Sequence, residues 1–327
     1  MPKLLFAPLP NSWGHVGRTL ALIDKLPKRY EKCILLDKTK AALIKKLGYR
    51  VILVPEFKEN NLARDFFKLT RSYLNVFSKL SPQKIIVDNN PYALLAAFIS
   101  KKPVLEIHTP LSLAGQFLIK PDILPPAWQK LWLQLKKHYP YSFIRKFLKR
   151  KNKIIIPSIP AWEEQHLPNS SFIGPLFWQG WQTLPTLQPY LLKKNILITF
   201  GSELLPNKIL KELKKYAHHN DLRLLFSSKL ANLEKAIKRS EVVICHGGHT
   251  TVLKALSYGK PLLCLPQNKD QEIVSRQVQK KKCGLSSKDL HTIKSSLDFI
   301  LNNSKFKKNS MYIKNKIYSF RTKTIRI

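Results

Sequence analysis

The stretch from Val242 to Gln271 constrains the fold of this chain more than any other part of the sequence. Its apolar run Val242–Cys245 is typical of a buried parallel strand. The residues from Val252 to Tyr258 then predict a helix, which Gly259 ends. A second apolar run, Pro261–Leu265, predicts the next strand. The pattern therefore predicts a βαβ unit whose polar residues follow the ends of the strands.

Small and polar residues separate the first strand from the helix, and they are His246, Gly247, Gly248, His249, Thr250 and Thr251. Glycines at such a turn let the backbone approach a ligand closely, and a helix N-terminus attracts anions such as a diphosphate. His246 and the two threonines can donate hydrogen bonds. Asp270 and Gln271 follow the second strand in a predicted polar loop, Pro266–Gln271, and they should lie at the same sheet edge. A carboxylate and an amide there suit sugar hydroxyls.

This stretch resembles the donor-binding signature of the UDP-glycosyltransferases of GT-B fold, a superfamily that includes UDP-glucuronosyl- and UDP-glucosyltransferases and the related lipid-linked N-acetylglucosaminyltransferases. The signature runs His-x-Gly-x-(Asn/Thr)-(Ser/Thr), then Glu, Gly-x-Pro, Pro and Asp-Gln. The positions that match without a gap are His246, Gly248, Thr250, Thr251, Gly259, Pro261, Pro266, Asp270 and Gln271. The resemblance implies that the six turn residues and Asp270-Gln271 bind a nucleotide-sugar donor.

One position departs from the signature. Lys254 stands where the family often has a Glu that holds the ribose hydroxyls, and a cation cannot accept those hydrogen bonds. This substitution leaves two interpretations open. The chain is either an active enzyme with an altered nucleoside preference or a degenerate member that binds without turnover.

The composition limits the classes of protein further. The 327 residues are enough for two domains, and 44% hydrophobic residues support a substantial core. The net charge is +37, and Lys greatly outnumbers Arg. A protein that reads nucleic-acid bases would lean more on Arg, so we expect no specific nucleic-acid partner. The charge indicates either a general Lys bias or attraction to an anionic surface.

Several features predict a cytoplasmic protein, with a peripheral position at the inner face of a membrane as an alternative. The N-terminus leads directly into a strand, without the pattern of a signal peptide, and no apolar run approaches the length of a membrane span. The cysteines form no CxxC pair, so we interpret them as small core residues in a reducing compartment. They are Cys33, Cys245, Cys264 and Cys283.

The first half alternates predicted strands with helices such as Val16–Leu26, Thr39–Leu47 and Asn61–Leu80. The predicted strands are Lys3–Pro8, Lys32–Leu36, Arg50–Val54, Lys84–Asp88, Pro103–Ile107 and Lys153–Pro157. This order is the signature of a doubly wound parallel sheet. Together with the resemblance, it predicts an α/β protein of GT-B fold, with two Rossmann-like domains that face a central cleft.

The first strand is followed by a glycine-flanked histidine, Gly14-His15. The resemblance implies that His15 is a general base, because many inverting members carry one in this loop. An imidazole can take a hydroxyl proton at neutral pH, although His15 could also cap the helix or line the cleft. Asp88 ends a predicted strand and could orient this base, or it could cap the following helix. Glu106 and His108 are weaker candidates for the acceptor side.

The segment between Asp122 and Glu163 contains no acidic residue and interleaves lysines with aromatic side chains such as Trp128 and Trp132. A basic amphipathic helix of this kind is typical of an interfacial segment. The same pattern also fits a helix that packs on the sheet and exposes its lysines.

We expect the first, acceptor-binding domain to span residues 1–175 and a proline-rich linker to span residues 176–192. The second, donor-binding domain should span residues 193–303, with a basic C-terminal helix, 304–327, that could cross back to the first domain. The resemblance places Gly201 and Ser202, in a Phe-Gly-Ser turn, near the donor phosphates or the sugar.

These observations predict a metal-independent, inverting glycosyltransferase that moves a hexose-type sugar from a nucleoside-diphosphate sugar, expected to be a UDP-sugar, to an acceptor hydroxyl. The acceptor would be lipid-linked or a small molecule. We expect no cofactor, and no residue spacing indicates a metal site. The alternatives are a catalytically degenerate nucleotide-sugar or membrane-surface binding protein and, with less support, a nucleotide-sugar epimerase.

Overall fold

A computed structural model describes residues 1–9, 13–56, 62–108, 153–163, 169–178, 194–200, 205–226, 233–287 and 290–320. The chain forms two compact units. Among the described residues, unit 1 contains those up to Pro157 and those from Asn169 to Leu176. Unit 2 contains Ser158–Glu163 and those from Phe177 onward. The short segment at Ser158 therefore belongs to unit 2, although the strands on both sides of it belong to unit 1.

Unit 1 is built on a parallel sheet of seven strands in the order β3-β2-β1-β4-β5-β6-β7. The strands are β1 (Lys3–Pro8), β2 (Glu31–Leu36), β3 (Val51–Leu53), β4 (Lys84–Asp88), β5 (Val104–Ile107), β6 (Lys153–Ile156) and β7 (Ser170–Phe172). The strand order reverses between β1 and β4, where Pro8 pairs with Asp88. In such sheets the carboxyl ends of the strands at the reversal form the ligand site.

The helices of unit 1 begin where the sequence offers capping side chains. Asp37 accepts a hydrogen bond from the Lys40 backbone, and Asn90 accepts one from Ala93, ahead of Pro91 in the first helical position. The helices are α1 (Trp13–Lys25), α2 (Lys38–Lys46), α3 (Leu62–Leu80) and α4 (Pro91–Ile99). A core of aliphatic and aromatic residues between sheet and helices includes Leu5 and Tyr73, both fully buried.

Unit 2 is built on a parallel sheet of five strands in the order β12-β11-β10-β8-β9. The strands are β8 (Lys194–Thr199), β9 (Leu222–Phe226), β10 (Ser240–Cys245), β11 (Leu262–Cys264) and β12 (Gly284–Ser286). This sheet reverses its order between β8 and β10, whose ends, Thr199 and Cys245, are paired. The two parallel, doubly wound sheets confirm the predicted α/β class.

Seven helices accompany this sheet in the described part of unit 2. They are α5 (Pro160–Glu163), α6 (Asn207–His219), α7 (Leu233–Arg239), α8 (His249–Ser257), α9 (Lys269–Lys280), α10 (Leu290–Asn302) and α11 (Ser304–Ser319). Helix α11 packs on α8. The residues after Phe320, on which the predicted return to the first domain depends, lie outside the described residues.

Several predicted element bounds were wrong, and local capping explains two of them. Helix α1 begins at Trp13, so His15 lies in its first turn and not in a loop. Helix α8 begins at His249 and not at Val252, because the extended backbone of Gly248 forms its N-cap. Helix α9 begins at Lys269, since the Asn268 side chain caps it. The predicted loop therefore ends at Asn268.

The sequence patterns also missed two strands, β7 and β12, which have three residues each and lie at sheet edges. The basic segment after Asp122 and most of the proline-rich linker lie outside the described residues. All four cysteines are buried with free thiols. Within the described ranges, no helix combines the length and apolar character that spanning a membrane requires.

Candidate functional site

His15 and Asp88 meet at the carboxyl end of the unit 1 sheet. His15 lies in the first turn of α1, directly after β1, and Asp88 is the last residue of β4. The His15 Nδ1 atom is 2.8 Å from the Asp88 Oδ1 atom. The Asp88 carboxylate is fully buried, and the His15 side chain is 15% exposed. A carboxylate on one ring nitrogen of a partly exposed imidazole is the arrangement that supports a general base.

Arg18, one turn after His15, also binds Asp88. Its Nε atom donates to Asp88 Oδ2 at 2.9 Å, and its Nη2 atom donates to Oδ1. Thr19 Oγ1 lies 3.4 Å from Oδ2. Burial alone would raise the pKa of Asp88, but the charges of Arg18 and His15 outweigh it and hold this pKa well below its usual range. Asp88 is therefore an anion held in place by at least three side chains.

A second buried pair lies on the adjacent strand. His108 Nε2 is 3.0 Å from Glu106 Oε2, and both residues are almost fully buried. Strand β5 pairs directly with β4, with Asp88 opposite Ile107, so this pair flanks the His15 site at the same edge of the sheet. Gly14 lies beside His15 in the first turn of α1. The structure thus brings the predicted residues of the acceptor side together.

The glycine turn of unit 2 lies at the reversal of the second sheet. His246 follows β10, and its ring lies 6.0 Å from that of Phe200, which follows β8. Gly247 has a φ of +83°, and a Cβ on it would lie 2.9 Å from the backbone oxygen of Gln271. Helix α9 therefore lies so close to residue 247 that only a glycine fits there. The sequence analysis related the two glycines to the close approach of a ligand and did not predict this contact of Gly247 with α9.

The N-terminus of α8 carries no side-chain cap. Gly248 is its N-cap, and the first helical hydrogen bond runs from the Val252 nitrogen to the Gly248 oxygen. The backbone N–H groups of His249, Thr250 and Thr251 come before that bond, so they lack helical acceptors. The two threonine side chains are half-exposed beside these groups. A helix start of this kind favours a negatively charged group.

The side chain of His249 is bound within the protein. Its Nε2 atom is 2.6 Å from Glu163 Oε1, and the Glu163 side chain is fully buried. Glu163 ends the short helix α5, whose Trp162 oxygen accepts a hydrogen bond of 2.6 Å from Gln277 on α9. The two contacts connect α5 to the first residue of α8 and to α9. Of the residues predicted to bind the donor, His249 is therefore directed to a carboxylate of its own unit.

Asp270 and Gln271 lie in the first turn of α9 and have different environments. Gln271 is buried, and its Oε1 atom accepts a hydrogen bond of 2.7 Å from the Gln267 nitrogen, so this amide supports the loop before the helix. Asp270 is half-buried, and burial raises its pKa. Within the described ranges, no side chain donates a hydrogen bond to the Asp270 carboxylate, which therefore retains its capacity to accept hydroxyl donors.

Lys254, the departure from the family signature, is packed against its own unit. Its Nζ atom lies 5.9 Å from the centre of the Phe177 ring. Burial lowers the pKa of Lys254, and the nearby Glu234 opposes this effect. Glu234 is in turn 3.3 Å from Lys238. The ammonium group is thus accommodated by an aromatic ring and an acidic neighbour.

Two predicted donor residues, Gly201 and Ser202, lie outside the described residues. Among the residues that the structure describes, no group of three or more His, Cys, Asp or Glu side chains could hold a metal ion.

Arg18 and Glu163 contact predicted site residues, although no motif in the sequence indicated either of them. For Arg18 a signal existed, because a residue three positions after a helical histidine lies on the same helix face. For Glu163 none existed, because 86 positions separate it from His249.

Comparison with known proteins identifies a family match in the second half of the chain. Residues 182–323 match the family described as "Glycosyltransferase family 28 C-terminal domain". A "PGL/p-HBAD biosynthesis glycosyltransferase" of Mycobacterium tuberculosis is 28% identical over 134 residues, which is 36% of this chain and 31% of that protein. A "PGL/p-HBAD biosynthesis rhamnosyltransferase" of Mycobacterium bovis is 28% identical over 136 residues, 36% of this chain and 30% of that protein. The matched part thus spans about a third of the length of each relative.

Solved structures resemble the chain over nearly its whole length. The spinosyn forosaminyltransferase has a TM-score of 0.72 and 16% identity, covering 96% of this chain and 94% of the other. The calicheamicin glycosyltransferase has a TM-score of 0.71 and 14% identity, covering 98% and 94%. The spinosyn rhamnosyltransferase complexed with thymidine diphosphate has a TM-score of 0.66 and 16% identity, covering 98% and 96%.

At these identities the structural likeness shows the fold, while the matched C-terminal domain shows the family relationship of the second half. The two parallel sheets and these matches agree with the resemblance seen in the sequence. The chain thus shares the fold of these solved glycosyltransferases, and its residues 182–323 match the glycosyltransferase family 28 C-terminal domain.

Proposed function

We propose that this protein transfers a sugar from a pyrimidine nucleoside-diphosphate sugar to an acceptor hydroxyl, with inversion at the anomeric carbon and without a metal ion. The observation that carries the proposal is the uncapped start of α8 at the reversal of the unit 2 sheet, within the matched family 28 domain. Unit 2 would hold the donor, and the His15 site of unit 1 would serve the acceptor.

The donor half is supported by charge and hydrogen-bond chemistry. The N–H groups of residues 249–251 and the hydroxyls of Thr250 and Thr251 supply donors for a diphosphate. His246 precedes this helix start and would donate to the leaving group. The Asp270 carboxylate has the accepting capacity that sugar hydroxyls require. Gln271 would contribute by holding the loop before α9, because its oxygen already binds Gln267.

The acceptor half is supported by the His15–Asp88 contact. An acceptor hydroxyl is a weak nucleophile until a base removes its proton as the new bond forms. Asp88 binds Nδ1 of His15, which leaves Nε2 as the nitrogen that would take this proton. Glu106 and His108 would line the same side. A lipid-linked acceptor and a small-molecule acceptor both fit this chemistry.

The proposed step is a single displacement. The acceptor oxygen attacks the anomeric carbon while its proton passes to Nε2 of His15. The bond from that carbon to the diphosphate oxygen breaks, and its electron pair leaves with the nucleoside diphosphate. The N-terminus of α8 would stabilise this developing negative charge, as backbone donors do in other sites. Attack from the face opposite to the leaving group inverts the anomeric carbon.

The identity of the nucleoside is the first property to test. Lys254 stands where a ribose-binding carboxylate is frequent, and one structural neighbour is complexed with thymidine diphosphate. We therefore propose that TDP binds at least as well as UDP, because the loss of the carboxylate weakens the preference for ribose hydroxyls. This proposal modifies the expectation of a UDP-sugar.

A thermal-shift series with UDP, TDP, GDP and ADP at matched ionic strength tests the donor site. We expect a higher Tm with the two pyrimidine nucleotides, because ligands that bind only the folded state stabilise it. The matched variant Thr250→Ala/Thr251→Ala should lose this shift. Equal shifts with all four nucleotides, which disappear at higher salt, would show that the lysines bind any polyanion and would contradict the proposal.

Lys254 also supports a second candidate function, that of a donor-binding protein without turnover. Its packing against Phe177 shows that the substitution is built into unit 2. Sugar release from a bound donor, measured with and without acceptors, separates the two functions. Specific nucleotide binding without turnover on lipid or small-molecule acceptors would favour this second candidate.

A further inference from the structure

One ring nitrogen of His15 contacts two other side chains, those of Asp88 and Arg18. The His15 Nδ1 atom is 2.8 Å from Asp88 Oδ1 and also 2.8 Å from Arg18 Nη2. Arg18 Nη2 is itself hydrogen-bonded to the same carboxylate oxygen. Arg18 is 4% exposed and Asp88 0% exposed, so neither group can turn freely into solvent. One nitrogen of the imidazole therefore faces an anion and a cation at the same time.

The two neighbours of Nδ1 require opposite states of the ring. A carboxylate only accepts hydrogen bonds, so Asp88 favours the tautomer in which Nδ1 carries the hydrogen. Nε2 then has a lone pair and can act as a base. A guanidinium only donates, so Arg18 favours a bare Nδ1, and the hydrogen then lies on Nε2. In that tautomer Nε2 cannot accept a proton.

We propose that Arg18 is a positioning residue that controls His15 as a base, by competing with Asp88 for Nδ1 and by opposing the positively charged imidazolium. The catalytic part of this inference rests on the proposed function, while the control of the ring itself does not. Asp88 alone would hold the ring ready for proton transfer and would favour its charged form. Arg18 keeps part of the population in the other tautomer and keeps the ring neutral at lower pH.

The charged groups around His15 agree with this role. Burial lowers the pKa of His15, Asp88 raises it, and Arg18 and His108 lower it, so that the net direction is downward. His108 comes from the neighbouring strand and is paired with Glu106. Because the folded-state pKa lies below the ordinary value, His15 should stay neutral as the pH falls through the range where a free imidazole becomes charged.

An NMR titration of the histidine ring nitrogens tests this inference directly. The compared proteins are the wild type, Arg18→Gln, Arg18→Lys and Arg50→Gln, with the His15 signals assigned by their loss in His15→Gln. Arg50 is the matched control, because its charge is exposed on the surface, where it pairs with Glu31. In the wild type we expect a measurable population with hydrogen on Nε2.

In Arg18→Gln the pKa of His15 should rise, and the ring should move to the tautomer with hydrogen on Nδ1. Arg18→Lys keeps the positive charge, so the pKa of His15 should stay almost as low in this variant as in the wild type. Arg50→Gln should titrate like the wild type. An unchanged His15 titration in Arg18→Gln would overturn the inference and would leave Arg18 as a packing partner of Asp88. If that variant does not fold, a wild-type ring with hydrogen on Nδ1 alone would overturn it equally.

The pH dependence of kcat/KM separates this inference from the proposed function. If His15 is the base, the acid limb of the profile should move to higher pH in Arg18→Gln, because the pKa of His15 rises. A shifted titration without a shifted limb would overturn control of catalysis by Arg18. Absence of turnover in the wild type would contradict the proposed function, and the titration would still decide whether Arg18 controls the ring.

Discussion

At the scale of single residues, the contact between Glu163 and His249 is a feature of unit 2 that the sequence did not predict. A buried carboxylate accepts from a histidine at the first position of the helix that would bind the diphosphate. A hydrogen bond to a charged group stabilises the folded state more than a hydrogen bond between neutral groups. A buried polar group that loses its partner destabilises the folded state by the free energy of its desolvation. Glu163 should therefore contribute to both stability and nucleotide binding.

We predict that Glu163→Ala lowers the free energy of unfolding by about 1.5–3 kcal/mol, the range for a hydrogen bond to a charged group. It should also reduce the thermal shift with TDP or UDP, because the first turn of α8 loses its fixed neighbour. Glu212 provides the control, because its carboxylate pairs with the exposed side chains of Lys215 and Lys294 and surface ion pairs contribute little to stability. Denaturant unfolding of Glu163→Ala and Glu212→Ala measures the difference.

A double-variant cycle with His249→Ala tests whether the two residues act as a pair. If they do, the combined variant should lose less stability than the sum of the single losses. Strictly additive losses would show that Glu163 stabilises the protein through other contacts, and the assignment of His249 as its partner in stability would be wrong.

At the scale of elements, the glycine turn is placed by helix α9 as much as by its own strand. Gly247 has a left-handed backbone, and an added Cβ would meet the Gln271 backbone and Ser275 of α9. Ser275 Oγ donates to the Gln271 oxygen at 2.7 Å, so this surface of α9 is already occupied. The position of the turn, and with it the start of α8, therefore depends on a side chain being absent at residue 247.

We predict that Gly247→Ala destabilises the protein by several kcal/mol, about 1–3 from backbone strain and about 1–3 from overpacking. Two other glycines separate these causes. Gly48 has a φ of +87° but open space around it, so Gly48→Ala should show the strain alone. Gly17 lies in a helix with open space, so Gly17→Ala should be neutral or stabilising by about 0.5–1 kcal/mol. Thermal unfolding of the three variants gives the comparison, and equal effects at positions 247 and 48 would contradict the contact with α9.

The sequence predicted most elements because their signals are local. Apolar runs such as Lys3–Pro8 and Lys84–Asp88 have the bounds that the pattern indicated, since both ends are marked by polar or turn residues. The starts of α8 and α9 were misplaced because caps at Gly248 and Asn268 depend on backbone conformation. The pairing of Glu163 with His249 and the assignment of Ser158–Glu163 to unit 2 depend on tertiary packing, which no local pattern contains.

At the scale of the whole molecule, the dominant property is a net charge of +37 on 327 residues. Charge of one sign repels itself in the compact state and destabilises it. Helix α11 illustrates the excess, because its sequence SKFKKNSMYIKNKIYS has lysines and no acidic residue. Any nucleotide titration is therefore measured against a background of general attraction for anions.

We predict that the Tm rises as NaCl is increased from about 50 to about 300 mM, because salt shortens the range of the repulsion to less than about 10 Å. A variant with a lower charge provides the matched control. Lys305 and Lys308 are exposed on α11, so Lys305→Gln/Lys308→Gln should have a higher Tm at low salt and a smaller rise with salt. Differential scanning calorimetry of both proteins measures the effect. A Tm that is independent of salt in the wild type would contradict the predicted self-repulsion, and the excess of lysines would then not limit the stability of the fold.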